Sequence, residues 1–377
     1  MNMDLKQYCK ENYGLMLDTL CELCAIPAPS HFEYERAAYC KKWLENIGAK
    51  GVYIDDALNV IYPLGCDNSN EITVFVAHTD TVFPDREPMP YHDDGEKIHC
   101  PGVSDDTASL VVLLAMAKYF TENNLCPEKG FMFVCNSCEE GLGDLKGTKQ
   151  LFKDYEGRIA RFISFDSIIY TVADRCVGSH RYEVEVLTEG GHSWGAFGKK
   201  NAIAALAEIV NEIYKIDLPQ KSGAKTTFNV GEISGGTSVN TIAQNAKMLC
   251  EYRSDDVDCL AYMQKRFEEI FAAAQTEDVR VNVKLIGDRP CGDIAEEKID
   301  ALKQSIVPII EDVIGKKVVF KSSSTDCNIP LSLGIPAICI GTNNHAGVHT
   351  REEWVEKASL IPGLEIAIRT GIKLMED

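Results

Sequence analysis

Short β-rich runs recur along the chain with helical segments between them, and this alternation limits the possible folds more than any other feature. Strands are predicted at 52–63, 72–77, 131–136 and 162–165, and again at 317–320 and 337–340. Helical spacing accounts for a first segment ending near Cys24, where IPAPS breaks it, and for 32–47, 106–120, 298–313 and 360–375. Such alternation argues for a layered α/β domain. A different rhythm interrupts it: strand 181–188, helix 201–215, strands 226–233 and 247–253, helix 256–274, strand 279–285. That is the β-α-β-β-α-β order of a ferredoxin-like sandwich. The expected organisation is therefore one α/β domain in two parts, 1–178 and 289–377, with a second domain, 179–288, inserted between them. Hinges are expected near Val177 and Gly287.

A chain of 377 residues, 45% apolar, can fill one large core or two ordinary ones. Lys and Arg number 38 against 57 Asp and Glu, a formal charge of -19, and that field repels nucleic acid and anionic membrane surfaces. The opening MNMDLKQYCKENYGLMLDTL carries charges throughout, and no run of about 18 apolar residues occurs, so neither an export signal nor a membrane span is expected. Fifteen cysteines, an odd number scattered from Cys9 to Cys339, fit reduced thiols in a cytoplasm better than a disulfide framework. Of the two CxxC pairs, Cys135 and Cys138 are expected on opposite faces of a strand, and Cys21 and Cys24 share a helical face with Leu17 and Leu20 that suits core packing.

The chemistry-bearing residues have a common position. His78, Asp80, the Glu139–Glu140 pair and Asp166 each fall just past the carboxyl end of a predicted strand, the edge at which open α/β sheets bind ligands. His349 follows another strand after a short loop, and Asp105 opens the helix after PGVSDD. Taken singly, an HTD after a strand is ordinarily a satisfied turn, an Asp at a helix start an N-cap, and adjacent glutamates a solvated pair. Their repetition on neighbouring strand ends is what those explanations do not supply.

VAHTDTV, PGVSDD, NSCEEGLG, FDS, GGHS, GGTSVNTIA then EYRS, and STDCNIPLSLGIPAICIG then GVHTREEWV occur in one order over nearly the whole chain. This set resembles the co-catalytic zinc exopeptidases of metallopeptidase clan MH. That family includes peptidase T, carboxypeptidase G, aminoacylase and succinyl-diaminopimelate desuccinylase, and the style here is closest to peptidase T-like tripeptidases. The resemblance implies a layered α/β zinc-exopeptidase domain with the ferredoxin-like insert as lid. It implies two divalent cations, zinc or else cobalt or manganese, with Asp105 bridging both, His78 and Asp166 completing one, and Glu140 and His349 the other. Asp80 would accept the other ring proton of His78, and Glu139 would be the general base. His192 would stabilise the oxyanion, commonly from a partner subunit, which implies a homodimer through the lid. Asn240 and Arg253 resemble lid residues that hold the substrate's backbone or carboxylate, a task suited to an arginine fork; Arg253 could instead pair with a lid carboxylate such as Asp255.

The sequence departs from the family pattern in two places: Thr107 stands where a Lys often follows the Asp pair, and Asn240-Thr-Ile-Ala243 replaces NxIP. Asp326 and Glu353 match family acidic positions and are read as a helix cap and as support for the His349 loop. Asp166, where carboxypeptidase-like members tend to have Glu, points to a di- or tripeptidase acting on a free amino terminus. An N-acyl amino acid deacylase or a carboxypeptidase would use the same site. A catalytically silent binding protein should have lost Glu139 or a ligand, and all are present.

Overall fold

The structure is a computed structural model and describes residues 5–376; the outermost residues of the expected first and last segments, 1–4 and 377, lie outside them. The chain separates into two compact units, one running to Cys176 and resuming at Asp293, the other Val177–Gly292.

The first unit is built on an eight-stranded sheet. Across it run Tyr53–Ile54, Val60–Leu64, Phe131–Asn136, Ile72–His78, Ile159–Phe165, Ala337–Ile340, Thr171–Cys176 and Val319–Ser323. Ile72–His78 is parallel to both neighbours, and Ala337–Ile340 extends the parallel run beside Ile159–Phe165. Every residue of Ile72–His78 and Phe131–Asn136 is buried, the signature of strands covered on both faces. The period of two divides their side chains between two cores. Phe75 and Ala77 join the core formed with helices Tyr13–Cys24, Ala108–Glu122 and Leu360–Glu376. Val74 and Val76 join one completed by Leu145, Leu151 and Phe162. The Phe75 ring lies 5.2 Å from that of Phe131 and 5.9 Å from that of Phe133, so Phe75→Ala would cost about 3–5 kcal/mol.

Two local predictions change. The single strand expected over 52–63 is two, because the Asp55 carboxylate accepts the Ala57 and Asn59 N–H groups at 2.8 and 2.9 Å and closes a turn. Thr171–Cys176 was not predicted. Its sequence TVADRC has little strand patterning, and its place is set by pairing with Ala337–Ile340 and Val319–Ser323. The cysteines differ as well: Cys21 is exposed while Cys24 is buried, and Cys138 lies in the loop beyond the strand that ends at Asn136.

The second unit holds a four-stranded antiparallel sheet in the order Thr226–Gly235, Asn245–Ser254, Gly178–Thr188, Val279–Arg289. Tyr182, Val184 and Val186 pack on helices Ala202–Ile213 and Val257–Ala274, while the alternate Glu183 pairs with Lys247 on the open face. Each helix starts where a side chain takes up orphan amides: Asn201 accepts from Ile203 N, and Asp256 from Cys259 N.

Candidate metal centre

The carboxyl ends of the parallel strands hold the site. His78 is the last residue of the central strand, Asp166 follows Phe165 directly, and Glu139 and Glu140 follow the end of Phe131–Asn136. Asp105 lies in the tight turn Val103–Thr107, before the helix that begins at Ala108 rather than at the predicted Asp106. It has non-helical φ/ψ of -119° and 85° and is not an N-cap. Gly102 opens the turn at φ 75°, where an added Cβ would come within 2.5 Å of Thr81, so only glycine fits.

The two oxygens of Asp105 face different partners. Oδ1 lies 3.0 Å from His78 Nε2, and Oδ2 lies 3.2 Å from His349 Nε2, which is also 3.2 Å from Glu140 Oε1. The result is two overlapping groups, His78–Asp105–Asp166 and Asp105–Glu140–His349, each with one ligand atom per residue within 4.8 Å of the others. Asp105 belongs to both.

The electrostatics describe carboxylates crowded around two imidazoles. Burial pushes the Asp166 carboxyl well above the ordinary range, and Asp105 and Asp106 add to it. Burial and Asp105 push Glu140 up to about 7. Hydrogen bonds to Asp105 and Glu140 raise His349 to about 10. Burial alone would raise Asp105, but His349 and His78 hold it well below the carboxylate range. Protons on the two imidazoles thus stand where divalent cations would satisfy the same carboxylates. Imidazole nitrogen and carboxylate oxygen are donors that zinc accepts.

Around these residues the structure revises several assignments. The Nδ1–H of His78 donates to the main-chain carbonyl of Asp80 at 3.0 Å, while the Asp80 carboxylate is farther, at 3.4 Å. That carboxylate also accepts the Glu139 and Glu140 N–H groups, both at 2.9 Å, and the Ser30 hydroxyl at 2.6 Å. Asp80 therefore ties the histidine loop to the glutamate loop. Glu353 supports the Asp105 turn rather than the His349 loop, accepting from Gly102 N, Ser104 N, Ser104 Oγ and Asp105 N at 2.7–3.0 Å. Asp326 is not a helix cap; it accepts from Asn136 Nδ2 at 2.6 Å and from Thr148 Oγ1.

Sequence reasoning missed Arg36, which is 1% exposed. It donates to the carbonyls of Ile26, Leu23 and Thr79 and to the Thr107 hydroxyl. A cation from another helix thus reaches the position after the Asp pair, where the family's lysine is absent. The available signal was its spacing: Arg36, Cys40 and Leu44 form one inward stripe of helix Tyr34–Asn46.

The remaining predicted residues belong to the second unit. His192 and Asn240 come together: strand Gly191–His192 pairs with Thr241–Ile242, and the Asn240 carbonyl accepts Ser193 N at 3.0 Å. His192 Nδ1 accepts the Trp194 N–H at 3.2 Å, which leaves Nε2 to carry the ring proton. Arg253 pairs with Glu251 through Nε and Nη2 at 2.8 and 3.0 Å, not with Asp255, whose carboxylate accepts Lys225 N. Arg253 lies in register with Ser179, at the opposite end of strand Gly178–Thr188 from the His192 ribbon. At ~3.3 Å per residue the two are roughly 30 Å apart.

A layered α/β unit with paired His/carboxylate groups at its strand ends defines an enzyme of the metallopeptidase and amidohydrolase class. The chain belongs to Peptidase family M20/M25/M40, whose sequence pattern it matches over residues 74–371. A Peptidase M20 domain-containing protein of Schizosaccharomyces pombe is 28% identical over 192 residues, covering 50% of this chain and 46% of that protein, so the chain matches less than half of that relative's length. Among solved structures, aminopeptidase PepT from Bacillus cereus has a TM-score of 0.74 at 20% identity, covering 97% of this chain and 99% of that one. A putative aminohydrolase from Staphylococcus aureus has a TM-score of 0.76 at 16% identity, covering 100% of both chains. These likenesses establish the fold.

Proposed function

We propose that the chain is a two-metal aminopeptidase that removes the amino-terminal residue of di- or tripeptides, with zinc as the expected metal and cobalt or manganese able to replace it. The observation that carries the reading is the Asp105 carboxylate, with one oxygen in each His/carboxylate group. His78 and Asp166 would hold one cation, Glu140 and His349 the other. When bound, such a pair lowers the pKa of water from 15.7 toward about 7. Glu139 takes the proton from the attacking water and hands it to the leaving nitrogen. Asp80 keeps Glu139 in register through its N–H; Arg253 would bind the substrate's backbone or carboxylate, and Asn240, which lies beside His192, would do so from the same copy as His192.

His192 would stabilise the developing oxyanion with its Nε2–H. Its separation from Arg253 of roughly 30 Å supports a second copy as its source, with the unit Val177–Gly292 as lid and dimerisation domain. Sedimentation showing only monomer with full activity would sink the dimer. Fifteen cysteines, an odd and scattered number, support a cytoplasmic location. Among the described residues, no helix is long and apolar enough to cross a membrane.

Preference for a free amino terminus rests on Asp166 and is supported by the likeness to an aminopeptidase. A putative succinyl-diaminopimelate desuccinylase of Mycobacterium tuberculosis, 21% identical over 310 residues, supports a second reading, a deacylase on the same site. Metal analysis with hydrolysis of free and N-acetylated di- and tripeptides decides between them. About two zinc-like ions per chain with cleavage of the free peptides alone is expected; cleavage of the blocked peptides alone would replace the aminopeptidase with the deacylase.

A further inference from the structure

Two loops beside the metal groups each contain a residue that is not glycine yet has a left-handed backbone: His31 at φ 74° in SHFE, and Cys138 at φ 57° in NSCEE. In that conformation the Cβ of an L-residue crowds the following carbonyl, so the residue stays there only if its surroundings hold it. One oxygen bonds to both, beside a direct contact of 3.4 Å between the Cys138 thiol and His31 Nδ1. Glu33 Oε1 accepts the His31 N–H at 3.1 Å, the Cys138 N–H at 3.0 Å and the Cys138 thiol at 3.2 Å. Glu33 is 0% exposed, and its Oε2 has no hydrogen-bond partner among the described residues.

Cys138 immediately precedes Glu139 and Glu140, whose amides are bound by Asp80. The loop is thus fixed on both sides, by Glu33 before the glutamates and by Asp80 at them. A relaxed Cys138 would turn the chain in a different direction as it leaves strand Phe131–Asn136 and would move the Glu139 carboxylate with it. We infer that Glu33 is a positioning residue for the reaction. It acts by holding Cys138 in the left-handed conformation that sets where Glu139 stands. This rests on the assignment of Glu139 as the base.

The test uses the metal-loaded full chain and the panel peptide it cleaves fastest. Glu33→Ala, assayed in excess zinc so that any loosening at Glu140 on the same loop is made good, is expected to lower kcat by roughly a hundredfold, the scale of a small misplacement of a reacting group, with KM unchanged. Glycine takes the left-handed conformation without a Cβ penalty. Cys138→Gly added to Glu33→Ala is therefore expected to return most of the lost kcat, which a merely space-filling role for Glu33 would not allow. Wild-type kcat in Glu33→Ala overturns the inference, and so does a loss that Cys138→Gly leaves untouched. If Glu33→Ala does not fold, single substitutions at 138 decide: Gly should keep turnover and β-branched Val should lose it, and equal rates overturn the inference. Glu139→Ala separates the two assignments. Retained turnover there sinks the base and this inference together, whereas its collapse beside an unaffected Glu33→Ala sinks this inference alone.

Discussion

Replacing Glu353 with alanine should loosen the turn that carries Asp105. The carboxylate is 0% exposed and binds Gly102 N, Ser104 Oγ, Ser104 N and Asp105 N at 2.7, 2.7, 2.8 and 3.0 Å. Hydrogen bonds to a charged group contribute about 1.5–3 kcal/mol each, but bonds that share one acceptor are not additive. Each buried donor left unsatisfied costs about 1–3 kcal/mol, so losing the shared acceptor should cost about 3–5 kcal/mol in total. For a unit of this size each kcal/mol lowers Tm by about 2–4 °C, so the metal-free variant should unfold roughly 6 to 20 °C below wild type. Because Asp105 N is one of the donors, zinc affinity should also fall by about 10–100-fold, the usual loss when a ligand's support is removed. Glu353→Gln keeps one acceptor oxygen and should lie between the two. Calorimetry of the chelator-stripped protein reads the first effect, and zinc competition against a chromophoric chelator the second. An alanine variant with wild-type Tm and wild-type affinity would refute the reasoning.

Glu139→Ala should keep its metal and lose turnover by at least about 10²–10⁴-fold; near wild-type turnover removes Glu139 from the base role. Cation binding must displace the protons of Glu140, pushed up to about 7 by burial and Asp105, and of His349, raised to about 10 by Asp105 and Glu140. Calorimetric titration in buffers of different ionisation enthalpy should therefore show proton release that is larger at pH 6 than at pH 8, with apparent affinity falling as pH drops below about 10 and falling more steeply below about 7; buffer-independent heats would contradict this. His192→Ala should lower kcat by about 10²–10³-fold with metal retained. Mixing His192→Ala and Glu139→Ala chains should restore part of the activity if His192 acts on the partner's site, and no recovery would rule that out.

Much of the site was legible because its residues are tied to strand ends. A strand buried on both faces, such as ITVFVAH or FMFVCN, is recognisable from its apolar run, and whatever polar residue ends it must emerge at the sheet edge. That reasoning located His78, Glu139, Glu140 and Asp166 before any distance was known. It could not locate their supports. Glu33, Arg36 and Glu353 act on residues far from them in the sequence, and their roles depend on which loop each side chain meets.

The sequence by itself determined the layered α/β class, the ferredoxin-like order of the middle segment and the set of candidate ligands, because hydrophobic period and strand-end position are local properties. Tertiary structure decided the rest. It divided the Asp105 oxygens between two groups, gave the Asp80 carboxylate the glutamate amides as partners beside His78, turned Glu353 toward the Asp105 turn, and brought Arg36 to Thr107 in place of a lysine. A buried hydrogen-bonding group is satisfied by whichever partner the packed core brings within about 3 Å, and that partner is chosen by packing across the whole unit, not by spacing along the chain.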